Sequence, residues 1–298
     1  MTDKRIKKKE DRIKPIGWNN ICLSVPDDWE IDSLDTTHLL IGKDDIPCIE
    51  LKWTEGPKRF ALDKFLKKFI AKTQRLLNII IHEQATPADF SHPAPHLDFF
   101  FFNWEGHGSK GTGAIVFCRE CKRLTLIRFF KPSIVKPVYK QILASFSDHP
   151  QSGRSFWHIF GMSFEAPGEY QLQDYSFKPG AFKVILIHKK NRLVFYNWGP
   201  ASFLLSKTDL SGFAQRHLPQ LTGFAKTGIC KKGNFLEWAC KQERFKNAQK
   251  LPLINRFSHF LLFRICNDAQ NNRILGVEAA SPRHFNHSLI QESILGDI

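Results

Sequence analysis

Cys118 and Cys121 form a C-x-x-C pair. Two sulfurs at that spacing can meet, either as a redox dithiol or as half of a tetrahedral zinc site. A structural zinc site needs two more ligands. No second C-x-x-C accompanies this one and no H-x3-5-H lies beside it. Redox pairs of the thioredoxin type open a helix after a strand, whereas this pair falls in an expected strand-to-strand turn. Incidental buried thiols are the plainer reading.

Two other stretches invite a chemical reading. His92 and His96 flank Pro93-Ala94-Pro95, with Asp89 and Asp98 nearby. Imidazoles and carboxylates on an open loop can take a divalent metal, but the prolines prevent a helix from aiming both rings at one point. A surface loop is expected. Gly106–Gly113 is glycine-rich around Ser109, Lys110 and Thr112. A phosphate loop needs Gly-Lys-Ser/Thr opening a helix; here a strand follows, so a hairpin turn is expected. No G-x-S-x-G, H-E-x-x-H or strand-borne G-x-G-x-x-G occurs. No catalytic residue, metal centre or cofactor is therefore assigned.

The remaining candidates are basic. The formal net charge is +14 over 298 residues. Residues 1–14 carry seven Lys/Arg against three Asp/Glu, residues 15–150 carry 17 against 16, and residues 151–298 carry 19 against 10. The excess sits at the two ends. Lys4, Arg5, Lys7, Lys8 and Lys9 lie in the first segment, Lys64, Lys67 and Lys68 on a helix, and Lys231 and Lys232 in the basic second half. Such groups suit a polyanionic or acidic partner. They are equally the solvated side of ordinary elements.

Those residues need elements to hold them. Ile21, Leu23 and Val25 alternate with Cys22 and Ser24, which reads as a strand. His38–Ile41 and Ile46–Trp53 follow around Asp44-Asp45, as a hairpin. Leu62, Phe65, Leu66, Phe69, Thr73 and Leu76 repeat at helical spacing. Leu97–Trp104, Ala114–Cys118 and Leu124–Phe130 read as an antiparallel meander, and Val135–Phe146 as one closing helix.

The order then repeats. Trp18, Pro26, Trp29, Trp53 and Trp104 are answered by Trp157, Pro167, Tyr170, Trp198 and Trp238. A self-similar order marks a duplication. The expected organisation is a basic arm (1–14), a first repeat (15–148), a linker (149–156), a second repeat (157–281) and a tail (282–298). The seven cysteines, an odd number mostly in apolar runs, fit free thiols. No export signal is read at the start, and no window reaches the ~20 apolar residues of a membrane span. A cytoplasmic location is expected.

The run Trp–strand–Pro–x–x–aromatic, then two strands, Trp, Gly-Pro and a helix, resembles the PsbP-like fold. That superfamily includes the photosystem extrinsic P subunit, the DcrB-like proteins and a Ran-binding import factor. Trp18, Pro26 and Trp29, and Trp157, Pro167 and Tyr170, carry the resemblance. It implies an α+β class: two tandem antiparallel sheets, each flanked by helices. It also implies binding of other macromolecules rather than catalysis. The chain lacks the signal peptide or lipobox of exported members and any acidic cluster like the import factor's, so no functional residue carries over. The expected function is non-enzymatic macromolecule binding or scaffolding, with a protein partner. Nucleic-acid association through the basic segments and thiol redox chemistry at Cys118 and Cys121 are the alternatives.

Overall fold

The computed structural model describes residues 12–56, 62–88, 90–135, 138–149, 153–217, 230–232, 235–241 and 260–282. The chain divides into two compact units, Met1–Gly161 and Met162–Ile298. In the first, β1 (Ile13–Trp18), β2 (Ile21–Pro26), β3 (Glu30–Asp35), β4 (His38–Lys43) and β5 (Ile46–Glu55) precede α1 (Leu62–Leu77). Then come β6 (Ile80–Gln84), β7 (Leu97–Gly106), β8 (Ser109–Cys118), β9 (Arg123–Phe129), α2 (Pro132–Val135), α3 (Tyr139–Ala144) and β10 (Arg154–Ile159). The second unit holds β11 (Met162–Pro167), β12 (Gln171–Lys178), β13 (Ala181–His188), β14 (Asn191–Trp198), α4 (Ala201–Leu204) and α5 (Leu210–His217). It continues with β15 (Cys230–Lys232), β16 (Phe235–Lys241), β17 (Phe260–Asp268) and β18 (Arg273–Ser281).

Each unit contains a seven-stranded antiparallel sheet. The orders are β3-β4-β5-β9-β8-β7-β6 and β12-β13-β14-β18-β17-β16-β15. These are one order written twice. Trp53 and Trp198 fall on the equivalent strands β5 and β14, and Trp104 and Trp238 on β7 and β16. In the first unit β1 also pairs with β2 and with β10, apart from the large sheet.

The α+β expectation is corrected here. Strand accounts for 57% of the described residues, and the fold is β-rich, built on antiparallel sheets. Short turns explain why. Asn19-Asn20, Asp44-Asp45 and His107-Gly108 all have positive φ. Two such residues in a row give a turn whose twist matches the flanking strands. The chain is thus spent in ladders rather than in crossover helices. Of the described helices, only α1 reaches sixteen residues. The single closing helix expected over Val135–Phe146 is instead α2 and α3, of four and six residues.

The first unit's core is a side chain cluster between the sheet and α1. It joins Leu66 of α1 to Ile81, Phe102, Trp104, Ile115 and Leu126. Each such side chain, fully buried, is worth about 1.5–3 kcal/mol. Trp104 also donates its indole N–H to the carbonyl of Phe129 at 3.2 Å. The sheet closes tightly at this point: a Cβ on Gly111 would lie 2.0 Å from that same carbonyl oxygen. In the second unit, α5 sets Phe213 and Ala214 on Trp198, Trp238 and Phe263.

The sheets bury charge as well as hydrocarbon. Glu50 on β5 and Arg128 on β9 are cross-strand neighbours, and Arg128 Nε donates to Glu50 Oε2 at 2.9 Å. The guanidinium lies over the Trp104 and Phe130 rings, 5.3 and 5.2 Å from their centroids. Glu237 and Arg264 form a second buried pair with the same Nε–Oε2 distance, 2.9 Å.

Candidate functional site

The C-x-x-C pair sits where the sequence predicts, in the turn that carries β8 into β9. Lys122 N–H donates to the Cys118 carbonyl at 3.0 Å, and Lys122 takes a φ of 62° to close the turn. The Cys121 N–H points at Cys118 Sγ, 3.4 Å away. Cys118 is fully buried and Cys121 is exposed.

Two other segments meet this turn. One is the proline-stiffened loop before β7. The Arg119 N–H holds the His96 carbonyl at 2.8 Å, which brings His96 beside the turn. His92 faces elsewhere, with Nε2 3.0 Å from the Phe146 carbonyl. The other is the stretch after α3. Ser147 is bridged to Cys22 of β2 by two backbone hydrogen bonds of 2.8 Å. Arg123 Nη1 holds the Asp148 carbonyl at 2.7 Å. Asp148 and His149 are thereby fixed against the cysteines.

A thiol–imidazole–carboxylate cluster results. Cys118 Sγ lies 3.6 Å from His149 Nδ1. The same Nδ1 is 2.8 Å from Asp148 Oδ1, and His149 Nε2 is 2.8 Å from Glu120 Oε2. The Cys121 thiol reaches Asp148 Oδ2 at 3.1 Å. The His96 and His149 rings are 4.9 Å apart. The ligand atoms of His96, Cys118, Asp148 and His149 all lie within 4.8 Å of one another.

The electrostatics follow from these contacts. A hydrogen bond from the Cys121 thiol brings the Cys118 thiol down to about 6, against the opposing effect of burial; the Cys121 and Glu120 N–H groups add to the lowering. Cys121 moves up, chiefly because it serves Cys118, then through burial and the Asp148 carboxylate. Its one S–H serves Cys118 or Asp148, not both at once. Burial alone would lower His149, but Asp148 and Glu120 raise it above an ordinary histidine. A thiolate, an imidazole and two carboxylates within a few ångströms can bind a cation, or hold one sulfur as a nucleophile.

A second feature involves α1 and β5. α1 and β5 leave a groove of about 520 Å³ floored by Trp53, Phe69, Leu76, Leu77 and Leu126. Lys52, Lys68 and Lys72 rim it, with Glu55. Leu76 is 67% exposed.

The basic candidates divide. Lys64, Lys67 and Lys68 are exposed along α1. Lys4, Arg5, Lys7, Lys8 and Lys9 lie outside the described residues. For Lys231 and Lys232 the backbone of β15 is described, but not the side chains. Asp148, His149 and Glu120 are the residues that sequence reasoning missed. Asp148 ends the stretch read as the first repeat and His149 opens the one read as a linker, and only the fold brings them to the cysteines.

The described cysteines, Cys22, Cys48, Cys118, Cys121 and Cys266, are free. Among the described residues no helix is long and apolar enough to cross a membrane. No protein-family model matches the chain, and no curated protein matches it. Among solved structures it is similar to the immunity protein TplEi of T6SS from Pseudomonas aeruginosa, complexed with "L" peptide. That match has 9% identity and a TM-score of 0.34, over 93% of this chain and 90% of the other. At that TM-score the likeness carries no argument.

Proposed function

We propose that the chain is a non-enzymatic, protein-binding module that works in the cytoplasm. It takes an acidic partner segment with apolar anchors into the α1–β5 groove of its first unit. One observation carries this reading: an apolar floor with an exposed Leu76, rimmed by Lys52, Lys68 and Lys72. Leucine that is two-thirds exposed beside a tryptophan-floored groove suits a buried anchor from a partner. The lysines favour a partner of opposite charge and speed its arrival. Lys64 and Lys67 extend the same field along α1. An interface for single-stranded nucleic acid would interleave such cations with exposed stacking rings. Trp53 is instead buried, at 6% exposure. Free thiols support the cytoplasm as the compartment.

The test is photo-crosslinking from position 76, carrying a photoreactive residue, in cells. The crosslinked protein is then purified and its affinity measured for wild-type chain and for the Lys68→Glu/Lys72→Glu variant. A crosslinked acidic protein that the variant binds at least tenfold more weakly supports the reading. Unchanged affinity removes it. Crosslinked RNA or DNA in place of protein transfers the site to the nucleic-acid alternative.

A further inference from the structure

We propose that His96, Cys118, Asp148 and His149 bind one borderline-soft divalent metal ion of the zinc type. Nothing in the groove's role requires this. It stands on the convergence of three separate segments upon one point.

The geometry fits a small tetrahedral ion. Zn–S bonds of about 2.3 Å and Zn–N bonds of about 2.0–2.1 Å put neighbouring ligand atoms roughly 3.3–3.8 Å apart. Cys118 Sγ and His149 Nδ1 are 3.6 Å apart. The four donor atoms fall within 4.8 Å of each other. His149 Nδ1 and Asp148 Oδ1 are closer, at 2.8 Å, a hydrogen-bond distance; an ion taking the place of that proton would part the two atoms by about half an ångström.

The donor set selects the ion. One sulfur, two imidazoles and one carboxylate suit zinc or cobalt. Magnesium and calcium favour all-oxygen shells. The surroundings also prepare the donors. Glu120 Oε2, 2.8 Å away, accepts the hydrogen bond of His149 Nε2–H, so that Nδ1 is the ring nitrogen left to bind an ion once its own proton departs. Cys121 donates to Asp148 Oδ2 and holds that carboxylate in place. Asp148 is 2% exposed, and its carboxylate meets the Cys121 thiol and the His149 ring. Without an ion the buried Asp148 carboxylate is met by the His149 ring and the Cys121 thiol; a bound cation would take over that compensation from the ring proton.

The experiment uses the full chain, freed of any polyhistidine tag and expressed with zinc or cobalt supplied. Metal content is measured by mass spectrometry, and the cobalt form by absorption. The expected result is about one ion per chain, with a sulfur-to-cobalt band in the near ultraviolet and intense visible bands of tetrahedral type. Cys118→Ser abolishes the near-ultraviolet band. Cys118→Ser and His149→Ala both lose the ion at unchanged far-ultraviolet circular dichroism. Cys121→Ser keeps the ion with weaker retention against a chelator, and His82→Ala keeps it fully. Wild-type protein holding less than about a tenth of an ion per chain overturns the proposal. So does full metal content in both Cys118→Ser and His149→Ala. A Cys118–Cys121 disulfide in metal-free protein purified without reductant also overturns it, in favour of a redox dithiol. Where the variants aggregate, the wild-type cobalt spectrum decides: no thiolate band means no site.

Discussion

Cys118 Sγ and His149 Nδ1 lie 3.6 Å apart across 31 residues of chain. Neither residue could find the other by local geometry. β9, α2 and α3 intervene, and the return is fixed by the Cys22–Ser147 bridge and by Arg123 on the Asp148 carbonyl. The pairing is therefore a product of the first unit's whole fold, and it weakens whenever that fold loosens.

Removal of metal is expected to loosen the first unit. A ligand at 100 to 1,000 times its dissociation constant stabilises the folded state by about 2.7–4 kcal/mol. Treatment with a strong chelator should lower the unfolding temperature by several degrees. Amide exchange should accelerate in residues 90–97 and 146–149, with β4 and β5 unaffected. Uniform exchange across the unit would show that the ion does not tie these segments.

The buried Glu50–Arg128 pair predicts an acid-sensitive core. Burial alone would raise Glu50, but Lys52 and Arg128 hold it below the usual glutamate range. A carboxyl lowered on folding contributes its stability fully above the unfolded value of about 4.3. That contribution is lost as pH falls through the lower, folded value. Urea unfolding of wild type and Glu50→Gln should differ most at pH 6 and converge towards pH 3. Glu50→Ala leaves Arg128 buried without its partner, and should cost about 3–5 kcal/mol near neutrality.

Gly111 predicts an intolerant position. A Cβ there would lie 2.0 Å from the Phe129 carbonyl oxygen and 2.8 Å from Trp104 Nε1. Gly111→Ala must push β8 from β9 or break the Trp104 hydrogen bond. Overpacking of this kind costs about 1–3 kcal/mol. Gly108→Ala is a useful contrast: its Cβ would meet nothing within 4 Å, so its cost comes from the φ of 70° alone. Thermal unfolding of the two variants separates crowding from backbone strain.

The rim of the α1 groove predicts a salt-dependent encounter. Reversing Lys68 and Lys72 should slow association with an acidic partner and flatten its salt dependence, because exposed charges are screened within about 10 Å at 0.1 M salt. Leu76→Ser should instead speed dissociation. Stopped-flow kinetics at two salt concentrations distinguishes the two effects.

Much of the sheet was legible because one physical signal was strong. Ile21, Leu23 and Val25 face inward on β2 as their alternation predicts. Asp44-Asp45 turns the chain as its chemistry predicts. β3 and β12 carry little signal in the sequence. Both are the first strand in their sheet order, and no residue of either is fully buried. An edge strand without a buried face has little apolar period to read. The α+β class follows from the resemblance, which implies flanking helices, while the short turns that multiply strands carry no length signal. The metal-type cluster was half legible. The C-x-x-C spacing marks Cys118 and Cys121, and the sequence offers His96 as a metal ligand only together with His92, which the fold turns elsewhere. Asp148 and His149 carried no signal, since their significance lies in a tertiary contact.

Trp18 and Trp157 meet edge to face at 5.4 Å, both without solvent exposure. Trp18 leaves the ribosome early and waits for a residue made almost 140 positions later. Until β10 has emerged, β1 lacks a neighbour on one side and an indole lacks its cover. The first unit can thus be finished only after the ribosome has begun the second copy of its own pattern. A nascent chain stalled before Arg154 should hold chaperones, and one stalled a tunnel's length beyond Ile159 should release them.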